Sequence, residues 1–517
     1  MTIPPIQLLL FICLLFCILF SANHSEAVVS SGNLVTYLPG LAIQPLPFHL
    51  ETGYIGVGGG SNSKSSSHGD SDDEGANQLF YYFFKSERKE APLVLWLTGG
   101  PRCSGLSPLV FNRGPIQIDK VVEYKNGTSL PTFKLNPYSW TKIANMIFLD
   151  EPVGTGFSYY SKSSHDQSQM GDILSARNTY EFLVKWLIQN PEFQSNPVYI
   201  SGDSYSGIII PIIVQDLIRD IEVGKYPFLN FKGYSLGNPV TYRRLEENSF
   251  IPFARNLGFV SYELYQSMRV NCRGNFLNFD ISNGNCSDDR REFEELVSGI
   301  NRNQVTEPLC HNALTTSPNP KEMLKNRRRR SLVTTREGLH AYDASCPRMY
   351  TYVLLEHWAN DNRVRKALHV KEVRTVTLPE FGSYGNKKST VHNFLWNYAH
   401  YDFKCNYDLP YTAEVTNAIE YHQNISPKGY RSFIYSGDHD MIVPHISTEA
   451  WIRTLANLSI TEEWRPWFVD GQVAGYTRTY SNGLTYATVK GSGHTAPEYT
   501  PKECLNMFER WFSNTPL

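Results

Sequence analysis

The sequence predicts an α/β fold in which helices cover a central, mostly parallel β-sheet. Near-continuous apolar runs of strand length, at 93–97 and 146–150, are typical of parallel strands buried on both faces. The stretch 174–189 has the apolar spacing of a helix and leads toward another strand. A long polar, helix-rich and cysteine-bearing stretch, 242–349, interrupts this alternation, and it predicts a helical lid inserted into the sheet domain.

The remaining elements follow in chain order. Two strand-like runs, at 48–55 and 79–86, predict an opening hairpin, and the Gly-, Ser- and Asp-rich stretch between them predicts a long solvated loop. A further strand is expected at 233–236, and a helix at 364–370 returns the chain to the sheet domain after the lid.

One predicted strand, 198–200, runs into a tight turn that has a serine at its centre. The turn, 202–207, contains Ser204 and is followed by a helical pattern, with Pro211 expected in the first turn of the helix. Strand, sharp turn and helix are the context of a nucleophile elbow, which exposes the serine hydroxyl beside the positive end of the helix. Ser206 stands where the general pattern has a second glycine, and a small serine is expected to fit. A serine-rich turn alone is a weak signal.

Two later strands end in residues that complete a nucleophilic triad. A run at 433–436 is followed by Asp438 and Asp440, and a later run ends just before His494. Serine, aspartate and histidine, each after its own strand, is the chain order of α/β-hydrolases. In that arrangement Ser204 attacks an acyl carbon, His494 takes and returns the proton, and an aspartate orients the imidazole. On the residues alone, both aspartates remain candidates for that last role.

Five sequence blocks in this chain resemble the serine carboxypeptidase family, and they occur in the family's order over roughly residues 38–513. The blocks read WLTGGP at 96–101, DEPVGTGFSY at 150–159, GDSY at 202–205, GDHD at 437–440 and GHTAPEY at 493–499. The resemblance implies that Asp440 is the triad acid. It also implies that the backbone N–H groups of Gly100 and Tyr205 form the oxyanion hole.

The substrate-binding positions depart from the peptidase pattern of this family. Its peptidases hold a terminal carboxylate with an Asn before the paired glycines, a Glu before the nucleophile and a second Glu before a later Gly-Pro. Here Thr98 precedes Gly99, Asp203 precedes Ser204, and Asn112 takes the third position. The Thr and Asp pattern resembles the plant acyltransferase branch, which transfers acyl groups from glucose esters to alcohols or amines. The substrate is then a small-molecule ester; a true carboxypeptidase that releases C-terminal residues from peptides is the alternative.

Arg102 supports a third interpretation. The family normally has glycine at this position, beside the oxyanion turn. If the backbone there requires a positive φ, an arginine strains it by about 1–3 kcal/mol. This keeps open the hypothesis that the chain is a secreted protein that binds without catalysis.

The N-terminus predicts a secretory signal peptide over residues 1–27. Its apolar run, 8–20, is shorter than the roughly 20 residues that span a bilayer. A mature protein that is secreted or vacuolar, with no membrane partner, follows from this interpretation. Four sequons could then carry glycans: Asn126, Asn285, Asn424 and Asn457.

Seven of the nine cysteines remain after the signal peptide, and an oxidising compartment favours disulfides. The sequence alone does not determine their connectivity. The family resemblance implies three pairs, with Cys504 left free: Cys103–Cys405, Cys272–Cys286 and Cys310–Cys346.

The predicted division of the chain is a signal peptide, a first core part at 28–241, the lid at 242–349 and a second core part at 350–517. Four consecutive arginines inside the lid, at 327–330, indicate either a linker cut by a processing protease, near 320–335, or an uncut basic loop. The net charge of −2 gives no electrostatic case for nucleic-acid binding. His439 and His445 lack a spaced set of further ligands, so no metal and no cofactor are expected.

Overall fold

The computed structural model describes residues 32–58, 76–119, 130–161, 170–276, 283–310, 347–372, 405–455 and 458–517. Several predicted features lie outside the described residues: the signal peptide, most of the hairpin loop, the arginine-rich linker, Cys346, Asn126 and Asn457.

The described residues form one sheet of eleven strands in the order β1-β2-β3-β7-β4-β8-β9-β10-β13-β12-β11, and β5 and β6 form a separate pair. The strands are β1 (Asn33–Leu34), β2 (His49–Val57), β3 (Asn77–Lys85), β4 (Leu93–Leu97), β5 (Ile116–Ile118), β6 (Phe133–Leu135), β7 (Asn145–Leu149), β8 (Val198–Asp203), β9 (Phe231–Gly237), β10 (Arg431–Gly437), β11 (Ile460–Val469), β12 (Gln472–Tyr480) and β13 (Leu484–Val489). The six central strands, β7-β4-β8-β9-β10-β13 in sheet order, pair in parallel. The strands on either side of them pair antiparallel. The predicted mostly parallel sheet is confirmed.

Helices cover both faces of the sheet. They are α1 (Leu106–Phe111), α2 (Asp172–Gln189), α3 (Ser206–Glu222), α4 (Arg243–Asn256), α5 (Tyr262–Asn271), α6 (Gly284–Val297), α7 (Pro347–Asn360), α8 (Asn362–Ala367), α9 (Ile419–Ile425), α10 (His445–Ile452), α11 (Ala496–Tyr499) and α12 (Pro501–Phe512). None of those in the described ranges has both the length and the apolar character needed to cross a bilayer.

The strand β4 shows why the sheet is parallel at its centre. All five of its side chains are fully buried, since alternate residues enter two different apolar layers. Leu95 belongs to the same apolar layer as Trp186 of α2 and Ile209 of α3 on one face, whereas Trp96 belongs to the layer that contains Phe508 of α12 on the other. A strand covered on both faces needs a continuous apolar run, and this run was the signal in the sequence.

Helix α3 differs from its prediction in one respect. It begins at Ser206, directly after the turn, so that Pro211 lies inside the helix and beyond its first turn. The prediction that Pro211 falls in the first turn is therefore wrong. The helix starts earlier than the apolar spacing indicated because the turn residues themselves are its first residues.

Helices α4, α5 and α6 follow β9, and the described residues between β9 and β10 contain no strand. They have an apolar cluster of their own, which includes Ile251, Leu264 and Phe293. The Cys272–Cys286 disulfide links the residue after α5 to α6. The proposed lid boundaries at 242 and 349 remain a prediction.

Shortening a buried side chain of the central strand β8 should destabilise the protein. Ile200 is fully buried between neighbouring parallel strands, and replacement by alanine should lower the free energy of unfolding by about 2–5 kcal/mol. Ile188, on α2, is 54% exposed, so that Ile188→Ala should change this free energy by no more than about 0.5 kcal/mol. Denaturant titration of both variants measures the difference. Equal losses would contradict the described burial of β8.

Candidate active site

The turn after β8 holds Ser204 in a strained backbone conformation. The φ angle of Ser204 is +54°, in the left-handed region that L-residues rarely adopt. Backbone hydrogen bonds hold it there: its N–H donates to the Gly237 carbonyl at 2.9 Å, and its carbonyl accepts from Val240 N–H at 2.9 Å. The turn is therefore anchored on both sides to β9 and to the loop that leaves it.

Small residues surround Ser204 because the turn is crowded. A Cβ atom on Gly202 would lie 2.6 Å from the Leu97 carbonyl oxygen, and one on Gly207 would lie 2.4 Å from the Val240 carbonyl oxygen. Ser206, which replaces the second glycine of the general pattern, fits because its hydroxyl donates to the Leu97 carbonyl at 3.0 Å.

Ser204, His494 and Asp440 form a continuous chain of hydrogen bonds. The distance from His494 Nε2 to Ser204 Oγ is 2.8 Å, and that from His494 Nδ1 to Asp440 Oδ2 is 2.7 Å. An ionised carboxylate can only accept, so Nδ1 carries the proton toward Asp440 and Nε2 is left to accept from the serine hydroxyl. This is the tautomer that lets a histidine remove a proton from a nucleophile.

The structure distinguishes the two aspartates that the residues alone left open and between which the resemblance favoured Asp440. Asp440 is fully buried, and its carboxylate also accepts from Asn238 Nδ2 at 2.8 Å and from Ile442 N–H at 2.7 Å. Asp438 instead accepts from Gly491 N–H at 2.7 Å, and burial raises its pKa. Asp440 is the carboxylate that contacts His494, and Asn238 helps to orient it.

The turn after β4 lies against the nucleophile. A Cβ atom on Gly99 would lie 2.6 Å from Ser204 Cβ and 2.7 Å from Tyr205 N. Gly100 lines the cleft, and its φ angle is +127°. Within the described residues, neither Gly100 N–H nor Tyr205 N–H donates to a backbone or side-chain acceptor. Both N–H groups are thus available to an oxyanion.

The side chain of Tyr205 is held in place by a hydrogen bond to the buried carboxyl group of Asp172. Its hydroxyl donates to Asp172 Oδ1 at 2.8 Å, the same oxygen accepts from Tyr411 at 2.8 Å, and Val415 N–H donates to the other oxygen. Burial raises the pKa values of Asp172 and Tyr205. Asp172 therefore connects the residue after the nucleophile with the segment near 411–415.

The three positions that replace the peptidase carboxylate-binding residues lie in one cleft. Asp203 Oδ1 accepts from Gly99 N–H at 3.2 Å, and Asp203 Oδ2 accepts from Arg113 Nη2 at 3.2 Å. Asn112 accepts from Arg113 Nη1 at 2.6 Å, and its amide donates to Glu498 at 3.4 Å. The Thr98 hydroxyl oxygen is buried and has no partner among the described residues.

Arg113 was not identified from the sequence, although it adjoins Asn112 in the chain. It is fully buried, its guanidinium lies 3.6 Å from the centroid of the Trp96 ring, and it pairs with Asp203. An arginine in a Gly-Pro turn gives no sign of such burial, because Trp96 and Asp203 reach it only in the folded chain. Glu498 lies inside the sequence block at 493–499, but no local pattern in the sequence indicated that its side chain would line the cleft.

The cleft encloses a cavity of about 210 Å³ beside the triad. It is lined by residues that follow the parallel strands and by residues of α4, among them Thr98, Gly100, Asn112, Asp203, Ser204, Arg243, Glu246, Glu247, His494 and Glu498. Within the described residues, no group of histidine, cysteine or acidic side chains could hold a metal ion.

Arg102 has the positive φ that the sequence analysis considered, +76°. Its guanidinium is directed onto the segment 406–411, where Nη1 donates to the carbonyls of Tyr407 at 3.2 Å and Leu409 at 2.5 Å. The Arg102 carbonyl accepts from Asn406 N–H at 2.8 Å, and the guanidinium lies 5.2 Å from the centroid of the Tyr407 ring. Arg102 therefore attaches this segment to the oxyanion turn, and it is absent from the residues that line the cleft.

A disulfide reinforces the same attachment. Cys103 is bonded to Cys405, immediately before the segment that Arg102 contacts. Cys310 is disulfide-bonded, and its implied partner Cys346 lies outside the described residues. Cys504 is free and buried, and burial raises the pKa of its thiol to about 12.

Buried carboxyl groups support the loop that follows β7. Asp150 accepts from Ser104 Oγ at 2.5 Å and from Gly105 N–H at 2.9 Å, which ties this loop to the chain just beyond the oxyanion turn. Glu151 accepts from Ser175 Oγ at 2.5 Å. Burial raises the pKa of Asp150 to about 6 and that of Glu151 to about 7.

The fold is that of an α/β-hydrolase, and its site brings a serine at a strand–helix turn into hydrogen-bond contact with a histidine, which in turn contacts an aspartate. The solved structure of Kex1(Δ)p, a prohormone-processing carboxypeptidase from Saccharomyces cerevisiae, shares the fold. It superposes with a TM-score of 0.64 and 18% identity, covering 93% of this chain and 95% of that one.

Sequence comparison defines the family more narrowly. The profile of the serine carboxypeptidase family matches residues 39–514. Serine carboxypeptidase-like 12 of Arabidopsis thaliana is 43% identical over 509 residues, which is 98% of this chain and 99% of that one. Serine carboxypeptidase-like 8 of the same plant is 43% identical over 95% of this chain and 96% of its own length. The chain belongs to the serine carboxypeptidase family and is an enzyme of its hydrolase and acyltransferase class, acting on ester or peptide substrates.

Replacing Arg102 separates backbone strain from side-chain contacts. Arg102→Ala removes the contacts to Tyr407 and Leu409 but keeps a Cβ at φ +76°, whereas Arg102→Gly removes both the contacts and the strain. The glycine variant should therefore be more stable than the alanine variant by about 1 kcal/mol. Denaturant titration measures this. Hydrogen exchange at Asn406 and Leu409 should be faster in both variants, and an alanine variant as stable as the glycine variant would refute the strain.

The raised pKa of Glu151 predicts a dependence of stability on pH. Because its pKa rises from 4.5 to about 7 on folding, the folded state binds more protons between these values, and stability falls as the pH rises through this window. One pKa unit is about 1.4 kcal/mol, so Glu151 should contribute a loss of up to about 3 kcal/mol. Glu151→Gln keeps an acceptor for Ser175 and should flatten the decline seen in denaturant titrations at pH 4.5 and 7.5. Parallel declines in the two proteins would show that Glu151 is not responsible.

Proposed function

We propose that this enzyme transfers an acyl group from a glucose ester to an alcohol or amine through an acyl-enzyme formed on Ser204. The observation that carries the proposal is the state of Asp203 and Arg113. Arg113 is fully buried in the cleft, and its two terminal nitrogens already bond Asn112 and Asp203. Among the described residues, the other two arginines that line the cleft are also paired, Arg243 with Glu247 and Arg302 with Glu294. A substrate carboxylate would therefore meet the carboxylates of Asp203 and Glu498 beside arginines that are already engaged, which disfavours a peptide C-terminus.

The proposed reaction has two halves. Ser204 Oγ attacks the ester carbonyl while His494 Nε2 takes its proton, and the resulting oxyanion accepts from the N–H groups of Gly100 and Tyr205. The ester C–O bond then breaks, and His494 returns the proton to the departing sugar oxygen. In the second half an alcohol or amine gives its proton to His494 and attacks the acyl-enzyme, which releases the new ester or amide and restores Ser204. Asp440 stabilises the imidazolium in both halves.

Carboxypeptidase activity is the second candidate. It is favoured by the unpartnered Thr98 hydroxyl and by the Asn112 amide, since both could donate to a terminal carboxylate. The binding-only hypothesis rested on Arg102 beside the oxyanion turn. The direction of its guanidinium, onto the carbonyls of 407 and 409, supports an open oxyanion site and therefore catalysis.

We further propose that the chain follows the secretory route to the vacuole or the cell exterior, with residues 242–349 as a lid over the cleft. The Cys103–Cys405 and Cys272–Cys286 disulfides support an oxidising compartment. Asn285 and Asn424 have exposed side chains, as glycan acceptors require, although Asn424 donates to Gln215 at 2.9 Å.

A substrate panel tests the proposal. The purified protein is given a phenolic glucose ester together with alcohols and amines, and separately a blocked dipeptide. We expect glucose release coupled to formation of a new ester or amide, detected by mass spectrometry, and little release of a C-terminal residue. Dipeptide cleavage without ester turnover would overturn the acyltransferase assignment in favour of the peptidase.

Removal of the nucleophile provides the matched control. A fluorophosphonate probe should label Ser204, and Ser204→Ala should abolish labelling and lower kcat by about 10⁶-fold, as in other serine triads. Failure of the folded wild-type protein to react with both the probe and every substrate would support the binding-only hypothesis.

A further inference from the structure

Two acidic side chains of α4 have oxygens that nothing in the described chain satisfies. Glu246 and Glu247 are 3% and 4% exposed, and both line the cleft beside the triad. Glu246 Oε2 and Glu247 Oε2 are buried atoms without a hydrogen-bond partner among the described residues. Buried polar atoms are paired in the great majority of cases, so that two adjacent exceptions in one cleft indicate a ligand.

Glu246 is held close to the nucleophile. Its Oε1 accepts from the N–H groups of Thr241 and Tyr242, both at 2.8 Å. Val240, the residue before Thr241, donates its N–H to the Ser204 carbonyl at 2.9 Å. One oxygen of Glu246 thus completes the start of α4 next to the catalytic turn, and this role leaves the other oxygen unused.

The charges around the two carboxyl groups show which ligands fit. Glu247 Oε1 pairs with Arg243 Nε at 2.6 Å, and Arg302 of the same cleft pairs with Glu294 at 2.7 Å. Glu246 has no ion pair among the described residues. Burial, together with the neighbouring charge of Glu247, raises the pKa of Glu246 to about 7. When ionised, both free oxygens only accept hydrogen bonds, so a ligand group that donates hydrogen bonds is favoured over an anion. When protonated, Glu246 can also donate from Oε2, and a hydroxyl ligand can accept that bond.

We propose that Glu246 and Glu247 form a subsite that binds a hydroxyl or ammonium group of a substrate. This proposal rests on the proposed acyl-transfer function. That function supplies two sources of such a group: the sugar of the donor ester, and the alcohol or amine acceptor. Two carboxyl oxygens from neighbouring residues suit adjacent hydroxyls, as on a sugar ring, and also suit an ammonium with several N–H groups.

Equilibrium binding tests this subsite without requiring turnover. Saturation-transfer NMR titrations of the full chain at pH 8.5, where Glu246 is ionised, use methyl glucoside as the sugar probe, ethylamine as the ammonium probe and acetate as an anion. We expect at least one of the first two probes to bind and acetate not to compete with it. Glu246→Gln keeps an oxygen for Thr241 and Tyr242 but places an N–H donor where Oε2 stood. Affinity should fall about tenfold for ethylamine, whose protonated ammonium form cannot accept a hydrogen bond, and less for methyl glucoside, whose hydroxyls can.

Matched variants separate binding from folding. Glu246→Ala also removes the acceptor for the two backbone N–H groups, so it alone should lower thermal stability. Glu292→Gln makes the same chemical change at an exposed position of α6 and should leave probe affinity within twofold.

The outcomes identify the source of the ligand. Binding of methyl glucoside that weakens in Glu246→Gln assigns the subsite to the donor sugar, and the same result with ethylamine assigns it to the acceptor. Binding of neither probe, or binding equally strong in Glu246→Gln and wild type, overturns the subsite. If ester turnover is absent but probe binding still depends on Glu246, the subsite stands and only the acyl-transfer function fails.

Discussion

The chemistry of the cleft depends on one constraint, the parallel pairing of β8, β9, β10 and β13. Parallel neighbours end at the same edge of the sheet, so residues that lie far apart in the chain meet just beyond that edge. The register aligns Asp203 with Gly237 and Gly437 with Val489. Asp440 and His494 follow these ends by a few residues, and their meeting with Ser204 is a consequence of sheet pairing.

The hydrogen bonds available to a buried carboxyl group distinguish Asp440 from Glu246. Asp440 is fully buried, yet it accepts hydrogen bonds from His494, Asn238 and two backbone N–H groups of the following loop. These donors compensate for the water contacts that the carboxylate lost on burial. Glu246 is equally buried but has donors for one oxygen only. The two carboxyl groups therefore differ in what they leave open: every oxygen of Asp440 has a donor, whereas Glu246 keeps one oxygen for the ligand proposed above.

The sequence predicted the features that local patterns encode. Apolar runs identified the central strands, the small residues around Ser204 identified the turn, and chain order identified His494. It could not predict features that arise from long-range packing. Nothing local separates Asp438 from Asp440, since both follow β10 within three residues, and only the fold directs one to His494 and the other to Gly491. Arg113 was missed for the same reason, because its aromatic and acidic neighbours come from distant strands.

Arg102 shows how a departure from a family pattern can be accommodated in place. A left-handed backbone favours glycine, so arginine at φ +76° carries strain that the surrounding structure must offset. The offset is visible in two carbonyl acceptors, an adjacent disulfide and a stacked tyrosine, all on the segment that begins at Cys405. These contacts direct the cation away from the oxyanion turn and bring Tyr407 to the wall of the cleft. Arg102 thus contributes to the wall of the cleft through Tyr407, while the hydrogen bonds that join Ser204, His494 and Asp440 are present beside it.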